Sequence, residues 1–164
     1  MERKSFPPVV GPAPKLLILG SMPGVRSLEQ AQYYAHPQNL FWKIMEDNFL
    51  CDFNAPYGQR ITCLTNHHIA LWDVLASCYR PGSLDSDIAK PSPNPISQFV
   101  SDHPSLERIL LNGKSAEKWF RKFFPNFDAI DVLTVPSTSP ANASVPRPEK
   151  QGQWKKALQF ARVP

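Results

Sequence analysis

Apolar residues come along this chain in short blocks, separated by proline, glycine and small polar residues. The first block, 16–19, is continuous and is bounded by Pro14 and Gly20. A run so short and so apolar predicts a strand covered on both faces, over 15–20, as parallel strands are. Residues 25–35 are mostly polar around Leu28, Tyr33 and Tyr34, and predict a loop with a turn of helix. The spacing then turns helical. Phe41, Ile44, Met45 and Phe49 share one face of a helix predicted over 39–49, with Asn39 at its N-cap. A short helix over 58–67 leads to a second buried strand over 68–75, HIALWDVL, and to a loop over 77–94. A helix over 95–104, a strand over 107–111 ending in Asn112-Gly113, and an amphipathic helix over 115–124 follow. The last strand, 129–135, runs into 136–142, and the last helix, 149–163, turns Trp154, Leu158 and Phe160 inward. Strand and helix alternate, which predicts an α/β fold in a single domain over 1–164. Its sheet has four parallel strands, with helices on both faces.

Composition narrows this picture without changing it. A chain of 164 residues, 42% hydrophobic, buries a core without needing disulfides or metals. No stretch is long and apolar enough for a membrane span, and residues 1–10 lack the apolar core of a signal peptide, so a cytoplasmic location is expected. Cys51, Cys63 and Cys78 are odd in number and share no CxxC spacing, which fits a reducing compartment and argues against a disulfide scaffold or zinc finger. His36, His67, His68 and His103 form no HExxH pattern, so neither a metal nor a cofactor is expected. The 18 prolines cluster between the apolar blocks, as in stiff, shaped loops. A net charge of +4 suits a polyanionic partner without requiring one.

In a parallel sheet, strand ends converge on the edge where ligands bind. Here the first, third and fourth strands bring residues 20–24, Asn112-Gly113 and 136–142 to that edge. The segments offer amides, hydroxyls and backbone N–H groups. No paired carboxylates, Cys/His pair, P-loop, GxSxG or GxGxxG accompanies them. Such a site suits a neutral, planar, hydrogen-bonding ligand and a held water. Residues 32–42, QYYAHPQNLFW, add aromatic faces beside it. Tyr33 or Tyr34 can stack on a base or pack in the core, and Trp42 reads as core. His36 is either a surface histidine or a pocket group, and Asn39 either a helix cap or a pocket group.

LGSMPG at 19–24, HPQNLFW at 36–42, ALWDVL at 70–75, LLNGK at 110–114 and PSTSPAN at 136–142 occur in order over about 15–160. Together they resemble the hypoxanthine-DNA glycosylase (deoxyinosine glycosylase) branch of the uracil-DNA glycosylase superfamily. The resemblance implies a three-layer α/β/α sandwich around a four-stranded parallel sheet. It implies hydrolytic release of a deaminated base, hypoxanthine, from double-stranded DNA; a monomer with no membrane contact is expected. It places the catalytic asparagine at Asn39 and a base-reading asparagine at Asn112, followed by Gly113. The base pocket falls on Gly20, Ser21, Met22 and Pro23, with Tyr34 and His36 beside it. A loop pressing into the minor groove falls on Pro136, Ser137, Thr138, Ser139, Pro140, Ala141 and Asn142, with Arg147. Two departures stand out: Gln38 occupies a position where many relatives carry Arg, and the Asp of the superfamily's first motif is absent. An asparagine takes no proton at neutral pH, so Asn39 would hold and orient a water while N–H donors stabilise the leaving base. Preference for uracil or another deaminated base, and a non-catalytic DNA-binding module, are the alternatives.

Overall fold

A computed structural model describes residues 2–159. In chain order its elements are β1 (Glu2–Lys4), β2 (Leu16–Gly20), α1 (Val25–Gln30), α2 (Phe41–Phe49), α3 (Tyr57–Asn66), β3 (Ile69–Asp73) and β4 (Leu75–Tyr79). They continue as β5 (Ala89–Pro93), α4 (Ile96–Asp102), β6 (Arg108–Asn112), α5 (Lys114–Phe123), β7 (Asp131–Val135) and α6 (Arg147–Leu158). The expected end of the last helix, Phe160 included, lies outside the described residues.

The central sheet has the four expected parallel strands, in the order β3-β2-β6-β7. Alternate residues of β2 face opposite layers. Leu16 and Ile18 join a core made with α2, α3 and α6, while Leu17 and Leu19 join one made with α4 and α5. That is the three-layer α/β/α arrangement, with apolar side chains on both sheet faces because helices cover both. The registers align the strand ends: Gly20 pairs with Asp73, and Asn112 with Val135. Four chain segments therefore leave the sheet side by side at one edge.

Two expectations need correction. The apolar run 68–75 is not one strand. The chain leaves the parallel sheet after Asp73, where Val74 N–H donates to the Gly20 carbonyl (2.8 Å) and Leu75 N–H to that of Ser21 (3.2 Å). The Asn94 side-chain amide fixes the break by donating to the carbonyls of Asp73 (2.8 Å) and Leu75 (3.2 Å). Nor is 77–94 simply loop. β4 and β5 form, with β1, a second, antiparallel sheet of three strands in the order β1-β4-β5. Proline-bearing β5 (AKPSP) gives no apolar alternation to read, and an edge strand is where proline is tolerated.

The cysteines were expected to form no disulfide framework, and one pair is nonetheless bonded. Cys51, just past α2, and Cys63, in α3, are joined by a disulfide, leaving Cys78 as the buried free thiol. Their sequence separation of 12 carries no motif, and packing of α2 against α3 brings them together.

Candidate active site

A cavity of about 460 Å³ opens at the edge where the strand ends converge. Gly20, Ser21, Met22, Pro23, Tyr34, His36, Asn39 and Asn112 all line it, as do residues 137–141 of the loop after β7. Gly113, Pro136, Asn142 and Arg147 lie off its lining. Their places explain why. Gly113 adopts φ +100°, and a Cβ on it would stand 2.7 Å from the Ser137 Cβ, so it lets the loop close over the strand end. Arg147 is the exposed first residue of α6 rather than part of the loop.

The 136–142 loop is built rather than slack. The Ser137 and Ser139 hydroxyls accept from the N–H groups of Ser139 and Ala141, each at 3.2 Å. Helix α6 holds it from behind: Trp154 Nε1 donates to the Pro136 carbonyl (2.8 Å), and buried Lys150 donates to that of Asn142. Burial pulls the Lys150 ammonium below its ordinary pKa. The loop is also tied to the helix that follows the aromatic segment, since Leu40 N–H donates to the Thr138 carbonyl at 3.1 Å.

Asn112 is buried and largely committed. Its Nδ2 donates to Thr138 Oγ1 (3.1 Å), and its Oδ1 accepts from Thr138 N–H (3.0 Å). What remains of the amide is shared between the Tyr34 hydroxyl and the cavity. Asn39 is not the expected helix cap: its Oδ1 accepts from Phe41 N–H (2.9 Å) ahead of α2, while the residue lines the cavity. The helical first residue is Phe41, with Leu40 as cap, so Asn39 acts one residue earlier through an Asx-type turn. His36 Nδ1 accepts from Gln38 N–H (3.1 Å), which puts the hydrogen of a neutral ring on Nε2.

The aromatic residues divide. Trp42 is core, its Nε1 donating to the Tyr33 carbonyl at 3.0 Å. Tyr33 is buried with its hydroxyl on the Pro7 carbonyl (3.1 Å), although the residue also belongs to the cavity lining. One face of Tyr34 stacks on Phe41 at 4.1 Å, and its hydroxyl is buried beside the Asn112 side chain. Desolvation first, then the Asp73 carboxyl, push both phenols well above the ordinary tyrosine range.

Several lining groups were not expected from the sequence. Segment 80–85, beyond β4, braces the turn after β2. Buried Arg80 pairs with Asp85 (3.3 Å) and donates to the Pro23 carbonyl, while the Ser83 hydroxyl accepts from Val25 N–H (2.8 Å). The Ser21 hydroxyl donates to Asp85 at 2.9 Å. Asp73 and Asp85 both reach the cavity, so carboxylates do converge here, contrary to the reading from strand ends. Arg26 supplies an exposed cation on the same lining. The signal for Asp73 was present: an acidic residue inside a wholly buried apolar strand has no place there, and so marks the strand's end.

Potential metal ligands gather elsewhere. Among the described residues, Cys51, Cys63 and His67 bring ligand atoms within 4.8 Å of one another, with the two sulfurs bonded to each other. None of them lines the cavity.

Comparison with known proteins bears on the family. A hypoxanthine DNA glycosylase of Methanosarcina barkeri (strain Fusaro / DSM 804) is 35% identical over 120 residues, 73% of this chain and 76% of that protein. One from Methanosarcina acetivorans is 29% identical over 155 residues, covering 94% and 96%. A solution structure from Methanosarcina acetivorans, given a provisional uracil DNA glycosylase assignment, superposes with a TM-score of 0.82 at 28% identity, covering 98% of this chain and 99% of that one. The family model of the uracil DNA glycosylase superfamily matches residues 7–161, nearly the whole described chain, and the protein therefore belongs to that superfamily and is a DNA glycosylase, a hydrolase of N-glycosidic bonds.

Proposed function

We propose that the protein is a monofunctional glycosylase of base excision repair, acting as a monomer, that hydrolyses deoxyinosine in duplex DNA and releases hypoxanthine. The observation that carries this reading is the cavity of about 460 Å³, lined by Asn39, Asn112 and the 20–24 turn. Ligand pockets commonly run from about 300 to 1,000 Å³, so an extruded nucleobase fits. In this reading the damaged nucleotide leaves the helix, and weakly paired bases cost least to extrude. Exposed Pro140 and Ala141, on the braced loop, enter the space left behind. Asn39 keeps a lone pair on Oδ1 and two hydrogens on Nδ2 with which to hold a water toward the sugar carbon. Catalysis then comes from positioning and from donors meeting the charge on the departing base. The relatives named for hypoxanthine support that substrate, and the provisional uracil assignment of the solution structure supports uracil as the competing one.

Single-turnover base release from duplexes carrying one deoxyinosine or one deoxyuridine tests the reading. Faster release of hypoxanthine is expected. Faster release of uracil transfers the substrate to that base, and release of neither removes the assignment.

A further inference from the structure

The cavity contains a buried acid to which neither the sequence reading nor the water-holding asparagine gives a role. Asp73 is the last residue of β3, beside Gly20 in the register, and only 3% exposed. Its Oδ1 stands where a Cβ on Gly20 would lie 2.6 Å away, so the glycine makes room for the carboxyl at the bottom of the cavity. Its Oδ2 is buried with no protein hydrogen-bond partner, one of the few such side-chain atoms among the described residues. The Tyr34 hydroxyl lies beside the same spot, 3.4 Å from the position of that Cβ, with the Asn112 side chain as its neighbour. An orphaned carboxyl oxygen on the cavity lining indicates a ligand edge that completes it.

We propose that Asp73, as the neutral acid, donates a proton from this floor to the extruded base as the glycosidic bond breaks. The inference rests on the glycosylase reading given above and adds a catalytic group to it. The bond between C1′ and the base nitrogen breaks with its electron pair moving onto the base, and the Asp73 proton passes to an acceptor atom of the base. Water adds its hydroxyl to C1′, its other proton goes to solvent, and solvent reprotonates Asp73. The base leaves neutral. Asn39 and Asp73 thus serve opposite ends of one displacement, the first holding the water and the second neutralising the leaving group.

The surroundings favour the neutral form. Tyr33 and Tyr34 approach from the segment before α2, and both phenols are themselves held neutral. From the connection after β4 come Asp85 and Arg80, but the Arg80 guanidinium is engaged by Asp85 and the Pro23 carbonyl rather than by Asp73. Burial chiefly, with Asp85 adding and Arg80 opposing, raises the Asp73 carboxyl to a pKa of about 7. An acid of that strength is suited to proton transfer near neutrality.

The test is single-turnover release of hypoxanthine from deoxyinosine duplex between pH 5.5 and 8.5, for the wild type, Asp73→Asn and Asp73→Ala, with melting curves alongside. The wild-type rate is expected to fall about tenfold per pH unit above about 7. Asp73→Asn, which keeps the size and a hydrogen-bonding amide but has no acid to give, is expected to be slower by about 10²-fold or more, without that alkaline limb. A wild-type rate that stays flat through pH 8 overturns the proposal without any variant. So does an Asp73→Asn enzyme with the wild-type rate and limb, and so does an amide variant whose only change is a lower melting temperature. A wild type that releases neither hypoxanthine nor uracil defeats the glycosylase reading and this inference with it, whereas the preceding outcomes defeat this inference alone.

Discussion

At the scale of single residues, the proposal gives Asn39 a part in both fold and chemistry. Its Oδ1 accepts from Phe41 N–H at 2.9 Å, so Asn39→Ala loses the contact that starts α2, worth about 1 kcal/mol. The same change removes the water-holding amide, and a lost transition-state contact typically costs about 10²–10³ in rate. The expected outcome is a small drop in melting temperature with a large drop in single-turnover base release. A variant that melts lower but releases base at the wild-type rate restricts Asn39 to its turn. Its place at the cavity was legible because a short motif surrounds it. What the sequence did not reveal was the embrace of Asn112 and Thr138, whose backbone and hydroxyl occupy much of the amide that was expected to read the base. A partner 26 residues away leaves no periodic trace, since it depends on how the last loop folds back.

Elements were readable where burial imposes a period and unreadable where it does not. β2 and β6, with helices α2 and α5, follow from apolar runs and helical spacing, because a covered sheet and a half-buried helix each demand a repeating pattern, whereas β7 buries only Val135. β4 and β5 follow no such rule: in β4 only Leu75 and Cys78 are buried, and β5 is partly buried at best. The exit of the chain after Asp73 was hidden for a related reason, since Val74 and Leu75 are as buried as the strand they follow. The disulfide belongs to this scale too, because it links the end of α2 to α3 and leaves the cavity untouched. Closing a loop of this length, with a separation of 12, stabilises by about 3 kcal/mol at most in the chain-entropy account. Cys63→Ser is therefore expected to lower the melting temperature of the oxidised protein and to leave base release at 25 °C unchanged. Calorimetry of wild type and variant, each with and without dithiothreitol, checks it. The difference between them should vanish once thiols are reduced.

At the scale of the whole molecule, charge couples to both stability and binding. Asp73 is raised from 3.8 to about 7, so the folded protein holds a proton that the unfolded chain has already lost between those values. Stability from this group is complete below about pH 4 and declines as pH rises to about 7, by about 1.4 kcal/mol per unit while both pKa values bracket the pH. Asp73→Asn should flatten that part of the wild-type stability curve, read from urea midpoints at successive pH values. An unchanged slope would mean that the carboxyl titrates normally. Binding depends on which cations share the edge where the cavity opens. Arg26 lines the cavity, Lys114 opens α5 immediately after Gly113, and Arg147 opens α6 after the loop, and all three are exposed. From Lys114, helix α5 runs away from the edge at about 1.5 Å per residue. Lys118 and Lys122 also lie against the Trp119 ring, at 4.6 and 5.4 Å from its centre, while Arg121 faces Glu117 at 3.6 Å. Each phosphate neutralised by a cation contributes about 0.9 to the slope of log K against log salt. Alanine at Arg26, Lys114 or Arg147 should therefore weaken binding to deoxyinosine duplex and reduce that slope by about 0.9 each. Alanine at Lys118 or Lys122 should leave the slope where it is. Fluorescence anisotropy across a salt series separates the two groups of residues. A slope lowered by the Lys118 and Lys122 changes, and indifferent to the other three, would put the DNA along the flank of α5 rather than across the mouth of the cavity.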